Sequence, residues 1–165
     1  MNKEIDEAIF DNDSQKIAAL IKEGLDPNWT TEHDGWNMLH QALVGIRVQP
    51  PTEIIQFLID REVDLNAQDV EGWTPLHFAV RSRNLEVVKL MINYNLDIEL
   101  KNNGGDTALA MAFKGLPINL EIIKLLLSKG ASSEQQIDGE SISTRAKRIS
   151  EMKNTKYPTI YDLFC

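Results

Sequence analysis

The chain has 165 residues, 42% of them hydrophobic and 25% charged. That is enough apolar material for one ordinary domain or one short repeat array, and it excludes disorder along the whole length. The formal net charge is −8 and the one cysteine is Cys165, which rules out an internal disulfide framework and a cysteine-based zinc site.

No apolar run approaches the ~18 residues that a membrane-spanning helix needs. Residues 1–71 hold 15 Asp/Glu against 5 Lys/Arg, whereas residues 72–165 hold 10 against 12. An acidic first half repels a phosphate backbone and attracts a basic partner, so no direct contact with nucleic acid is expected.

The chain opens with "MNKEIDEAIFDNDSQK", an acidic amphipathic helix pattern. It lacks the basic and then apolar order of a secretory signal, which predicts a cytoplasmic protein. Asp13-Ser14 reads as the N-cap of a second helix, "SQKIAALIKEGLDPN". Next comes "DGWNMLHQAL" (34–43), then "VGIRVQPP" (44–51), where Pro50 and Pro51 cannot continue a helix and mark a loop. "TEIIQFLIDREVDLN" follows, and then "EGWTPLHFAV" (71–80), which echoes residues 34–43. There Gly72 is expected in a turn at positive φ, with Thr74 as helix cap and Pro75 at the first helical position. The pattern continues through "LEVVKLMINYNLDIE", "GDTALAMA", a loop at 113–119, "LEIIKLLLSKGASSE" and "GESISTRA". In "STRAKRISEMK", Ala146, Ile149 and Met152 are expected to form an apolar stripe under a basic outer face. The tail "YPTIYDLFC" is too apolar for a free linker and is expected to fold back on the preceding unit; docking on a partner is the alternative.

These segments are repeats. A turn glycine precedes an alanine by seven residues at Gly35–Ala42, Gly72–Ala79, Gly105–Ala112 and Gly139–Ala146, and the glycines are 37, 33 and 34 residues apart. In the second helices, apolar residues fall at i, i+1, i+4 and i+5: Ile54, Ile55, Leu58 and Ile59; Val87, Val88, Met91 and Ile92; Ile122, Ile123, Leu126 and Leu127. Stripes of that kind are buried only by stacking one unit on the next.

A period near 33 carrying G-x-T-P-L-H-x-A resembles the ankyrin-repeat family, and "GWTPLHFA" matches at every fixed position. Asn37-Met38 stands for Thr-Pro in the second unit, "GDTALAMA" lacks the Pro and His, and "GESISTRA" keeps only the frame. The resemblance covers about residues 1–150. It implies an all-α solenoid of stacked helix–turn–helix units with β-turn fingers. One domain of residues 1–165 is expected, with an N-terminal capping repeat (1–34), internal repeats at 35–71, 72–104 and 105–138, and a C-terminal capping repeat with its tail (139–165).

Nothing in the motifs predicts catalysis, a cofactor or a metal. The resemblance makes His40 and His77, which occupy one site in adjacent units, structural groups of the turn and helix start. "DNDSQK" lacks the glycine and terminal glutamate of a calcium loop, and "NNGG" lacks the Lys-Ser/Thr of a phosphate loop. Neither G-x-S-x-G nor H-E-x-x-H occurs.

What the resemblance does imply is a concave binding face of finger tips, post-glycine residues and first-helix ends. By alignment this selects Glu32, His33, Asp34 and Trp36; then Asp69, Val70, Glu71, Trp73, Arg81 and Ser82; then Asn102, Asn103, Asp106 and Lys114. His33 is a contact or merely a solvated tip residue. Trp36 and Trp73 are either recognition anchors or rings that stiffen neighbouring fingers, while Trp29 is expected to pack. The expected partner is another protein, basic in character, such as a toxin or nuclease domain neutralised by occlusion. The alternative is a scaffold or regulatory adaptor joining two proteins. The chain itself is expected to be monomeric.

Overall fold

The computed structural model describes residues 3–44, 50–115, 117–153 and 155–165. Most of the loop expected at 44–51, and Leu116 of the loop at 113–119, lie outside the described residues. Antiparallel helix pairs follow one another along the chain. They are α1 (Lys3–Phe10) with α2 (Ser14–Lys22), α3 (Met38–Leu43) with α4 (Thr52–Ile59), α5 (Pro75–Arg81) with α6 (Leu85–Met91), and α7 (Ala108–Lys114) with α8 (Leu120–Ser128). A last helix, α9 (Ile142–Glu151), is followed by a short 3-10 helix over Ile160–Phe164.

Local chemistry sets these helix starts. Asp13, Asn37, Thr74, Asn84, Thr107, Asn119 and Ser141 each accept a backbone N–H from the first turn that follows them. Pro75 opens α5, where a missing N–H leaves no bond unmade.

Stacking buries the apolar stripes. First helices pack in the order α1, α3, α5, α7, and second helices in the order α4, α6, α8. Ile55, Leu58, Val87, Val88, Met91, Ile122, Ile123 and Leu126 are fully enclosed, as are Met38, Leu39 and Leu109 of the first helices. Removing each such side chain from water stabilises the array by roughly 1.5–3 kcal/mol.

The last unit departs from the plain pattern in two ways. Its finger is a two-residue hairpin, β1 (Gln136–Ile137) antiparallel to β2 (Glu140–Ser141), turned by Asp138 and Gly139 at φ 52° and 83°. An Asp-Gly pair with both φ positive is the turn that matches strand twist. Met152, expected to complete the α9 stripe, instead lies past the helix end and is exposed, and Ile142 joins Ala146 and Ile149 in its place. The tail folds back: Ile160 is buried and the Phe164 ring lies 6.0 Å from that of Phe113.

The fingers are stitched to one another through main chain. Val70 N–H donates to the Asp34 carbonyl at 2.9 Å, and Asn103 N–H donates to Glu71 at 2.8 Å. This closeness needs glycine at 72, where φ is 77° and an added Cβ would lie 2.8 Å from the Asn103 nitrogen. Gly105 has φ 81° but open space around it. Gly72→Ala should therefore destabilise the fold by about 2–4 kcal/mol and Gly105→Ala by about 1–2 kcal/mol, the latter from backbone strain alone. Urea unfolding of the two variants checks this, and equal losses would contradict the close approach.

Candidate functional site

His40 and His77 sit at the third position of α3 and α5 and close their own helix starts. Asn37 N–H donates to His40 Nδ1 at 3.2 Å, and Thr74 N–H donates to His77 Nδ1 at 3.1 Å. With Nδ1 accepting, the network assigns the ring proton to Nε2. Nε2 then donates across to the next finger: His40 to the Trp73 carbonyl at 2.8 Å, and His77 to the Asp106 carbonyl at 2.9 Å. Burial pushes both imidazoles below their ordinary value, with the acceptor carbonyl a weaker pull the other way. They hold the frame together and leave no nitrogen for other chemistry.

The carbonyls they grip belong to residues selected from the sequence as binding candidates. Trp73 is half-buried, with its ring edge-on to Phe78 at 5.6 Å and the Arg81 guanidinium 5.3 Å from its centroid. Trp36 is also half-buried, edge-on to Phe78 at 5.9 Å, and donates Nε1–H to Asp69 Oδ2 at 3.2 Å. Each indole thus packs against the core and remains partly exposed.

The fourteen candidates separate into two groups. Glu32, His33, Asp34, Val70, Glu71, Arg81, Asn103 and Lys114 are exposed, and Val70 stands out at 59%. Asn102 and Asp106 are buried, which corrects their placement on the contact surface. Asn102 Oδ1 accepts Asp106 N–H at 3.0 Å to close its finger, and the Asp106 carboxylate takes Lys114 Nζ at 2.7 Å. Asp69 is likewise a frame residue: its Oδ1 accepts the N–H groups of Glu71 (2.9 Å) and Trp73 (2.7 Å). Ser82 is half-buried at the end of α5, and its hydroxyl donates to the Ala79 carbonyl.

Two cavities open beside the indoles. One, of about 240 Å³, is lined by Trp73, Arg81 and Lys114 together with Val80, Met111 and Ile122. The other, of about 350 Å³, gathers Glu32, His33, Asp34 and Trp36 against Asp6, Ile9, Phe10, Trp29 and Gln41. The α1 residues in this wall were not anticipated from the sequence. The available signal was Phe10, a large apolar residue on an otherwise acidic terminal helix, and it is 86% exposed. Trp29 both packs against the core and lines the cavity.

Among the described residues no group of three His, Cys, Asp or Glu side chains could hold a metal ion, and no helix is long and apolar enough to cross a membrane.

The ankyrin-repeat family, described as ankyrin repeats (3 copies), matches over residues 6–102 and again over 46–137. The rat protein "Ankyrin repeat and SAM domain-containing protein 6" is 32% identical over 112 residues, 66% of this chain and 12% of that protein. Mouse "Rabankyrin-5" is 26% identical over 148 residues, 81% of this chain and 12% of that protein. A "Putative ankyrin repeat protein" of Rickettsia felis is 32% identical over 105 residues, 61% of this chain and 46% of that protein. The chain therefore spans less than half the length of each of these relatives.

The neutral, buried histidines fix the sign of a pH dependence. Below about pH 6.5 the unfolded imidazoles bind protons that the folded ones resist, so the unfolded state holds more protons and stability falls with pH. The loss levels off only beneath the depressed folded-state value. Thermal melts should be flat from about pH 8 to 7 and then decline towards about pH 5, above the carboxylate range. A His40→Asn/His77→Asn variant should be less stable by about 1–3 kcal/mol per site yet flat over that window. A wild-type midpoint that stays constant down to about pH 5 contradicts the buried neutral rings.

Proposed function

The chain belongs to the ankyrin-repeat family, and from that premise we propose that it is a non-catalytic protein-binding module whose finger face recognises a basic partner protein. The observation that carries this reading is the setting of the two half-exposed indoles on fingers whose Glu32, Asp34, Val70 and Glu71 are exposed. Aromatic anchors within a polar rim have the composition of binding hot spots. Carboxylates on the finger tips would speed the approach of a cationic surface. Action by occlusion follows, and an inhibitor or immunity protein that neutralises a basic toxin or nuclease suits both the acid bias and the absence of catalytic motifs.

One observation favours the adaptor alternative. A second groove of about 390 Å³ lies between α7 and α9, with Lys153, Lys156, Met152 and Tyr157 in its wall. Its basic character is opposite to that of the fingers and suits a different, acidic partner.

The test is affinity capture from the source cell's lysate with wild type and with Glu32→Lys/Asp34→Lys/Glu71→Lys, all three exposed, so that the melting temperature should be unchanged. Wild type should retain a basic protein whose association slows as salt is added, and the variant should bind it at least about tenfold more weakly. Binding indifferent to salt and to the three reversals sinks the basic-partner reading. If capture is lost on altering the α7–α9 groove instead, the adaptor reading takes its place.

A further inference from the structure

The two ends of the helix stack carry opposite charge. Residues 3–13, which form α1 and its exit, hold five carboxylates and one lysine. Residues 142–156, which form α9 and its exit, hold five Lys/Arg and one glutamate. First helices stack from α1 through α3 and α5 to α7, and α9 lies beyond α7. At the usual spacing of packed helices the two segments are about 30–40 Å apart, so they cannot meet within one chain.

Each end also leaves apolar surface open. Phe10, the last residue of α1, is 86% exposed, more than any other large apolar side chain among the described residues. Asp11 and Asp13 beside it are exposed as well. At the other end, the groove of about 390 Å³ between α7 and α9 has Phe113, Ile118, Ile149 and Met152 in its wall. Its cations fall into two sets. Lys114, Arg145 and Arg148 are held by Asp106, Asp138 and Glu140. Lys153 and Lys156 are exposed and have no ion-pair partner among the described residues, and the same is true of Asp11 and Asp13.

We propose that the groove between α7 and α9 receives the Phe10 end of a second copy of this chain, so that copies join head to tail. The Phe10 ring covers the apolar wall, and Asp11 and Asp13 meet Lys153 and Lys156. Burial of the ring supplies the attraction, and the opposed charges decide which end meets which. An acidic segment of any protein would answer the charge alone. This chain supplies both parts together, carboxylates and an uncovered aromatic ring side by side. A contact between unlike patches leaves each pair with one free end of either kind, so association continues past the dimer. The occupant differs from the second protein of an adaptor, and the contact does not depend on the finger face.

Sedimentation velocity of the purified chain from about 10 μM to about 500 μM reads this directly. Wild type should be monomeric at the low end and form dimers and larger species at the high end, less so as salt rises from about 50 mM to about 500 mM. Phe10→Ser and Lys153→Glu/Lys156→Glu should each weaken association at least about tenfold. Their melting temperatures should be unchanged, because the replaced side chains are exposed. An equimolar mixture of the two variants should form a dimer and nothing larger, since one keeps the groove and the other keeps Phe10.

A wild type that stays monomeric throughout overturns the proposal and leaves the groove to an acidic segment of another protein. Association that ignores either variant, or variants that fail to combine on mixing, overturns it equally. No other protein is present in the cell, so these results leave the finger face standing. That face fails instead when captured protein ignores the three charge reversals.

Discussion

The junction between repeats rests on one bond used twice, an imidazole Nε2–H reaching the carbonyl of the next finger. His40 grips Trp73, and His77 grips Asp106. Each of those carbonyls also takes an N–H from its own finger, Asp69 in the first case and Asn102 in the second. One helix start, one finger and the following finger are thereby fixed together. Because the bond is buried, either partner left alone would carry the full desolvation cost of a lost hydrogen bond. Everything exposed on the fingers is positioned from these anchored carbonyls.

This arrangement explains why residues of the same type act differently in neighbouring fingers. Asp34 and Glu71 point to solvent, whereas Asp69 spends both carboxylate oxygens on Glu71, Trp73 and Trp36. Asn102 closes its finger on Asp106, and Asn103, one residue on, reaches back to the Val70 carbonyl at 3.0 Å. A turn needs side-chain acceptors at set places, and whichever Asp or Asn stands there is drawn inward. Those beside it remain on the surface.

Where the pattern loses its histidine, another group does its work. Ala110 occupies the His77 position, and the following junction is made by Gln135, which donates to the Gly105 carbonyl and accepts from Thr107 N–H and its hydroxyl. The last finger then becomes a hairpin. Arg81, eight residues after Trp73 and held over its ring, has counterparts through this change in Lys114 on Asp106 and Arg148 on Glu140, although the partner has passed from indole to carboxylate. What persists from unit to unit is a geometric pairing, filled by whichever side chains satisfy it.

Much of the fold was legible because its causes are local. Cap residues such as Asp13 and Thr74, the proline at 75, the positive-φ glycine at 72 and the i, i+1, i+4, i+5 stripes act within a few residues and carry fixed spacing. The candidate face was legible only as a set of positions. Asn102 and Asp106 were misplaced because each turns inward to a partner within its own unit, the Asp106 N–H and Lys114, and Met152 because α9 ends before it. Nor could the cavity beside Trp36 be read off the chain: Asp6, Trp29 and Gln41 meet there only once α1 stacks on α3. The sequence by itself determined the repeat, its period and its capping chemistry, since these are short-range. Only the tertiary structure decided how much of each indole stays open, because that is set by what the neighbouring repeat already covers.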